Sequence, residues 1–240
     1  VSRMDSVYRP VTSALAAIEA MIDVALPPHC VSCGTAGELI CRTCRGLMQR
    51  ADGKRCRHCW LVSDAPVCSD CVSRPLAVRE IRSAFVYDGP VRAAVLALKH
   101  RGVTALAREL VEMAGEIRPA ADTAIVVPIP IPLLRKRRRG GNQAERLAQV
   151  VAERTELMLE TSALRRRGWW GPRQAQARSR ADRRRIVVGA FAADETLVRG
   201  RGVLLVDDVS TSMATLSEAA RTLLAAGATA VDAWTVARAD

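Results

Sequence analysis

Eight cysteines fall between residues 30 and 71, and each belongs to the same unit: Cys30-x-x-Cys33, Cys41-x-x-Cys44, Cys56-x-x-Cys59 and Cys68-x-x-Cys71. A Cys-x-x-Cys turn presents two thiolates to one ion, and two turns complete a tetrahedral four-sulfur site. Four turns therefore predict two structural zinc ions. The sequential assignment puts Cys30, Cys33, Cys41 and Cys44 on one ion and Cys56, Cys59, Cys68 and Cys71 on the other; an interleaved pairing uses the same residues. A disulfide framework is the competing reading, but nothing marks the chain as secreted, and a reducing compartment keeps thiols free. Closed four-sulfur sites leave no position for water, so these ions are expected to fold the segment rather than to catalyse. His29 and His58 adjoin ligands and are read as bystanders.

A second constellation lies in VLLVDDVSTSMATLSEAARTLLAAGA, residues 203–228. An apolar run, Val203–Val206, ends in two adjacent carboxylates, Asp207 and Asp208. Hydroxyls follow at Ser210, Thr211, Ser212 and Thr215, and then a helix begins. A phosphate placed there meets N–H groups and hydroxyls at a helix start, where the helix dipole favours an anion. The preceding carboxylates can hold sugar hydroxyls or Mg²⁺. The same stretch also reads as a buried strand running into an ordinarily capped helix. Residue types alone do not decide between the two.

Positive charge is concentrated. Residues 135–185 carry 16 Lys and Arg against five acids, so this segment alone accounts for the +11 of the whole chain. Its knots are Arg135–Arg139, Arg165–Arg167 and Arg178–Arg185. Arg forks match phosphate oxygens, and a solvated face in an Arg-rich chain is the plainer reading. Arg137, Arg138, Arg139, Arg166, Arg167, Arg183 and Arg184 are candidate contacts to a nucleic-acid backbone. Trp169-Trp170 lies inside the same field and reads either as a lid packing downward or as a base-stacking pair. Lys99 either reaches a phosphate or caps a solvated helix end.

These groups need elements to position them. Residues 84–87, 124–130, 186–191, 202–209 and 229–236 read as strands, and 91–100, 103–117, 142–159 and 214–226 as amphipathic helices. That alternation predicts an α/β fold with a parallel sheet, whose ligands lie beyond the carboxyl ends of the strands. At 240 residues, with 49% hydrophobic and 25% charged residues, the chain can bury a substantial core and is not disordered. Aromatics are only 3%, which argues against an extended stacking platform. No apolar run is long enough for a membrane span and no signal peptide is visible, so a cytoplasmic chain is expected. Leu15, Ile18, Ile22 and Leu26 give a docking helix within 1–26, followed by a metal-bound section at 27–74 and the α/β section at 80–240.

VLLVDDVSTSMAT resembles the phosphoribosyl-diphosphate (PRPP) motif of type I phosphoribosyltransferases. The layout as a whole is similar to the ComF family, named for a role in DNA uptake. LPPHCVSCG at 26–34, the four Cys-x-x-Cys turns, FVYDGPVRAAVLALKHRG at 85–102, VVPIPIPLLRKRRRGGNQAE at 126–145 and QAQARSRADRRR at 174–185 carry that resemblance, in order. It implies a parallel sheet of the type I phosphoribosyltransferase kind behind a double zinc ribbon. It further implies that Asp207 and Asp208 bind ribose hydroxyls or their magnesium, and that Val209, Ser210, Thr211, Ser212, Met213, Ala214 and Thr215 cradle the 5-phosphate. Pro128–Arg135 corresponds to the diphosphate loop and Arg165–Arg178 to the mobile lid, with Lys99, Arg135 and Arg165 as further phosphate contacts. The implied partners are PRPP or another phosphosugar or nucleotide, single-stranded DNA, and a DNA-uptake helicase docked through the ribbons. An accessory role in DNA uptake or processing and a Mg-dependent phosphoribosyltransferase acting on a nucleobase or related acceptor are the two activities implied. Met213 stands where the family loop carries a glycine, which implies weaker phosphate binding. Gly141 and Ile186 also depart from the pattern, standing where an aromatic and an Asn are usual.

Overall fold

The computed structural model describes residues 27–100, 103–167 and 187–239. The expected helix within 1–26, and Trp169, Trp170, Arg183 and Arg184, lie outside the described residues. The chain divides into two compact units, Val1–Leu47 and Met48–Asp240.

In the first unit, a turn closed by Gly34 N–H donating to the Cys30 carbonyl at 2.8 Å leads into helix α1 (Arg42–Gly46). Gly34 has φ 82°, a left-handed conformation that a residue without Cβ adopts at no steric penalty.

The second unit begins with its own pair of cysteine turns and helix α2 (Ser69–Ser73), then builds a sheet. In chain order the elements are β1 (Ile81–Val86), α3 (Gly89–His100), α4 (Ala105–Met113), β2 (Thr123–Pro128), α5 (Leu133–Arg139), α6 (Gln143–Thr155), β3 (Met158–Leu159), β4 (Leu164–Arg166), β5 (Phe191–Ala193), α7 (Glu195–Val198), β6 (Gly202–Ser210), α8 (Ala214–Ala225) and β7 (Ala230–Arg238). Five strands form a wholly parallel sheet in the order β1-β7-β6-β2-β3. From β2 the chain moves outward to β3, and from β6 it moves the other way to β7. Their carboxyl ends therefore flank a topological switch point, where such sheets open a crevice.

Parallel strands are buried on both faces, and these are nearly continuous runs of Val, Ile, Leu and Ala. Ile125, Val127, Val203 and Leu205 point to one face and pack with Leu216, Ala219, Ala220 and Leu223 of α8. On the opposite face Val126, Leu204 and Val206 are buried under α6, whose Leu147, Ala148 and Val151 are buried too. Fully burying such a side chain stabilises by about 1.5–3 kcal/mol.

The strand expected over 186–191 is displaced. Val187–Gly189 forms a turn with Gly189 at φ 68°, and the strand is Phe191–Ala193, paired antiparallel with Leu164–Arg166 in a separate two-stranded ribbon. A short apolar run does not reveal which half of it is extended. The helix expected over 103–117 ends at Met113, near Gly115 at φ 77°, and that over 142–159 ends at Thr155, where Glu156 takes a left-handed conformation. Helix α5 was not anticipated. Pro128, Pro130 and Pro132 keep the chain extended, and helix begins only after the last of them, stopping at Gly140 with φ 68°.

β6 enters the sheet at Gly202 through a close approach rather than a special dihedral. A Cβ there would sit 2.2 Å from the Asp122 carbonyl oxygen, and backbone cannot step aside as a side chain can. Gly202→Ala is expected to destabilise by about 3 kcal/mol, the upper end for overpacking. An unfolding free energy from urea titration within a few tenths of a kcal/mol of the parent protein's would contradict this close approach.

Candidate functional site

Both four-cysteine groups are assembled. The Sγ atoms of Cys30, Cys33, Cys41 and Cys44, and those of Cys56, Cys59, Cys68 and Cys71, lie within 4.8 Å of one another in each group, so the pairing is sequential. Cys33 and Cys41 sulfurs are 3.6 Å apart, and those of Cys59 and Cys68 3.7 Å. No disulfide joins any of them. A tetrahedron with metal–sulfur bonds of about 2.3 Å has an edge of about 3.8 Å, so the donor sets fit Zn²⁺.

Backbone N–H groups prepare the first thiolate of each group. Burial works against ionisation at Cys30, but N–H groups of Cys41, Cys33 and Ser32 outweigh it and lower the thiol to about 6. Cys56 is likewise brought to about 7 despite burial, by N–H groups of Cys68, His58 and Cys59. Burial and the neighbouring sulfurs hold Cys59 and Cys71 above the ordinary thiol range. Four sulfurs this close cannot all carry charge without a cation among them.

The acid pair sits at the switch point. Successive residues of a strand face opposite sides, so Asp207 and Asp208 diverge at the end of β6. Asp208 is 4% exposed and ion-paired with Lys99 Nζ at 2.9 Å, from the last turn of α3. The Asp208 N–H donates to Asp207 Oδ1 at 2.9 Å. Burial, then the charge of Asp208, push the Asp207 carboxyl up to about 7, against the pull of the Asp208 N–H and Lys99.

Asp207, Asp208 and the loop 210–215 border a cavity of about 260 Å³. Four cations also line it: Lys99, Arg135, Arg139 and Arg166. Arg135 and Arg139 stand one helical turn apart on α5 and share its inner face, while Arg137 and Arg138 are exposed on the outer one. Arg166 comes from β4, its guanidinium 5.3 Å from the centre of the Phe191 ring. Burial and the charge of Arg135 lower the proton affinity of both Arg139 and Arg166. Arg165 and Arg167 are exposed, and Arg165 lends its charge to Asp194. Asn142 ties the two sides together. Its side chain caps α6 by accepting from Ala144 N–H at 3.1 Å and donates to the Ile129 carbonyl at 3.0 Å.

The loop itself is under tension. Met213 adopts φ 61°, ψ −2°, the left-handed region a glycine enters freely. That costs about 1–2 kcal/mol. Its side chain, 4% exposed, belongs to the apolar cluster with Leu216 and Ala219, and this burial returns about 1.5–3 kcal/mol. The methionine keeps the glycine-like backbone because its thioether is anchored in the core. No side chain caps α8 at Met213, and the start of that helix, Met213–Leu216, lines the cavity. Ser210 turns its hydroxyl inward toward Ser83 (3.3 Å), which in turn meets Thr235 at 2.6 Å.

Sequence reasoning missed Gln143, Tyr87 and the inward turn of Arg139 and Arg166. The spacing of Arg135 and Arg139 was the available signal, once a helix over 133–139 is granted.

The phosphoribosyl transferase domain family matches residues 103–239. Competence protein ComFC of Bacillus subtilis (strain 168) is 26% identical over 213 residues, covering 84% of this chain and 85% of that protein. DNA utilization protein YhgH of Escherichia coli O157:H7 is 30% identical over 210 residues, covering 83% and 90%. Among solved structures, glutamine phosphoribosylpyrophosphate amidotransferase from B. subtilis is 22% identical with a TM-score of 0.37. The match covers 57% of this chain and 26% of that enzyme, and at this score it does not bear on function.

Elemental analysis of the purified chain is expected to find two zinc ions, falling to one in Cys41→Ser or Cys59→Ser. A second expectation concerns acid. Because the folded state holds the Asp207 proton up to about 7, this group favours folding at low pH, and its contribution is lost as pH rises from about 4 through about 7. Asp207→Asn should therefore flatten the decline in urea midpoint over that window; parallel curves for the two proteins would refute the assignment.

Proposed function

Because the chain belongs to the phosphoribosyl transferase domain family, in its ComF branch, we propose that the cavity between the ends of β2 and β6 binds PRPP or a related phosphosugar or nucleotide. One observation carries this reading. Among the described residues, three buried side-chain atoms without a hydrogen-bond partner belong to residues lining this one cavity: Asp208 Oδ2, Gln143 Oε1 and Arg166 Nε. Each unmet group costs about 1–3 kcal/mol. A ligand offering hydroxyl donors to the two oxygens and an anionic oxygen to the guanidinium satisfies all three.

In this reading the 5-phosphate lies against the uncapped start of α8, with Ser210–Thr215 around it. The ribose hydroxyls face Asp207 and Asp208. The diphosphate faces Lys99, Arg135, Arg139 and Arg166, whose mutual repulsion an anion relieves. Asp207 and Asp208 are also suited to hold Mg²⁺, since carboxylate oxygens are its preferred donors and Asp208 keeps one oxygen unused. Bound there, the ion would neutralise diphosphate charge. As the bond from the anomeric carbon to the diphosphate oxygen breaks and a bond from that carbon to a nucleophilic atom of the acceptor forms, with the acceptor's proton passing to the leaving diphosphate, the acid pair stabilises positive charge on the sugar and the guanidinium groups stabilise the diphosphate. Gln143 and Tyr87 line the space left for a nucleobase or related acceptor.

The named roles of ComFC and YhgH support placing this activity, or binding alone, in DNA uptake or use. Exposed Arg137 and Arg138 on the outer face of α5 suit a single-stranded DNA backbone, and the zinc groups offer a dock for a DNA-uptake helicase. Among the described residues no helix is long and apolar enough to cross a membrane.

Titration calorimetry with PRPP and Mg²⁺ tests the ligand. Asp208→Asn and Arg166→Met are each expected to weaken binding about tenfold or more, and failure of the parent protein to bind PRPP at millimolar concentration would refute the reading. Met213→Gly should lower stability by about 1–2 kcal/mol while shifting affinity less than about threefold, because the backbone is already in the glycine-like conformation. Arg137→Ala with Arg138→Ala should reduce retention on single-stranded DNA and its salt slope without altering PRPP binding; unchanged retention would remove the α5 face from the nucleic-acid reading.

A further inference from the structure

The second four-cysteine group and the phosphate loop share a support. Arg238, the last residue of β7, is 1% exposed. Its Nε donates to the carbonyl of Cys59 at 2.7 Å, and its Nη1 donates to the carbonyls of Ser210 (2.9 Å) and Thr211. A planar, rigid guanidinium thus spans from a cysteine turn to the first residues of the loop. Packing runs the same way. Cys56, Cys59 and Cys71 lie in one apolar cluster with Met213 and Leu216. Downstream of the cysteines, Ala77 N–H donates to Ser217 Oγ, in the first turn of α8, at 3.2 Å.

The strain at Met213 gives this bridge a purpose. A non-glycine residue in the left-handed region persists only where its surroundings over-determine it. Only Ser212 separates Met213 from the stretch whose carbonyls Arg238 holds. The carbonyl at the other end of the bridge belongs to Cys59, whose position is set by whether its four sulfurs share an ion.

We propose that Arg238 is a positioning residue through which metal held by Cys56, Cys59, Cys68 and Cys71 keeps the 210–215 loop in its anion-binding shape, so that metal retention and phosphate binding are thermodynamically linked. This rests on the reading of the loop as a phosphate site. Linkage is reciprocal, so a phosphate ligand must tighten the hold on the metal by the same factor that the metal improves ligand binding.

The experiment uses the full chain carrying Cys33→Ser and Cys41→Ser, so that all zinc reported comes from the second group. Partition of zinc between the protein and a colorimetric chelator is measured at equilibrium with and without saturating ribose 5-phosphate, a weak zinc ligand itself, and ribose 5-phosphate binding is measured by calorimetry on the same protein. Ribose 5-phosphate is expected to raise the zinc affinity at least about fivefold. Arg238→Met should bind it about tenfold more weakly and lose that gain. A merely structural Arg238 would lower the melting temperature and leave the gain intact. Binding without any gain in zinc affinity in the Arg238 protein overturns the linkage alone. Absence of binding overturns both the linkage and the phosphate reading. Should Arg238→Met fail to fold, Arg238→Lys, which keeps the charge without the fork, takes its place with the same two outcomes.

Discussion

The molecule is organised around unbalanced charge held out of water at one end of a parallel sheet. Lys99 and Asp208 form a desolvated pair at 2.9 Å, and Arg135, Arg139 and Arg166 crowd the same cavity beside Asp207, whose carboxyl keeps its proton up to about 7. Burying charge is expensive unless it is paired. Here the pairing is incomplete: the guanidinium groups of α5 and β4 outnumber the carboxylate charge at the end of β6, where Asp208 is already paired with Lys99 and Asp207 keeps its proton up to about 7. Burial of the apolar side chains on both faces of the sheet beneath it supplies the stability that offsets this cost. A bipolar ligand, anionic at its phosphates and rich in hydroxyl donors at its sugar, is the complement.

Topology makes the arrangement possible. Because the chain leaves β2 in one direction and β6 in the other, no crossover blocks the space between their ends. Pro128 at the end of β2 and the two prolines after it hold that edge extended and delay α5 until its inner face overlooks the cavity. Asn142 closes the frame by capping α6 and bonding back to Ile129. Each device is local in sequence, yet each acts by placing a charge contributed from elsewhere.

Two means of restraint replace what a glycine-rich loop would supply. Met213 keeps a strained backbone because its side chain is buried, and Arg238 grips the carbonyls just before it. The same Arg reaches a cysteine turn, so the segment around residues 56–71 belongs structurally with the sheet of its own compact unit. The first four-cysteine group lies in the other unit and has a similar internal chemistry, including one thiol lowered by backbone N–H groups.

Much of this was legible from residue order because the relevant interactions are short in range. A Cys-x-x-Cys turn and the next one along bring four sulfurs together within a few residues of chain, so the sequential grouping is the one requiring least loop closure. An apolar run ending in Asp207-Asp208 and followed by hydroxyls announces a strand handing over to a helix, and that is where the acids and the loop stand. The parallel sheet followed from alternation of periods. What sequence could not decide was direction and depth. Arg139 and Arg166 lie in the same basic field as Arg138 and Arg165, and only the facing of α5 and the pairing of β4 with β5 turn one of each neighbouring pair into the cavity and the other to solvent. Arg238 is 179 residues from Cys59, and nothing local joins them. Side-chain identity sets which chemistry is available, but long-range packing sets which of several identical side chains loses its water, and it is that loss that makes a charge wait for a partner.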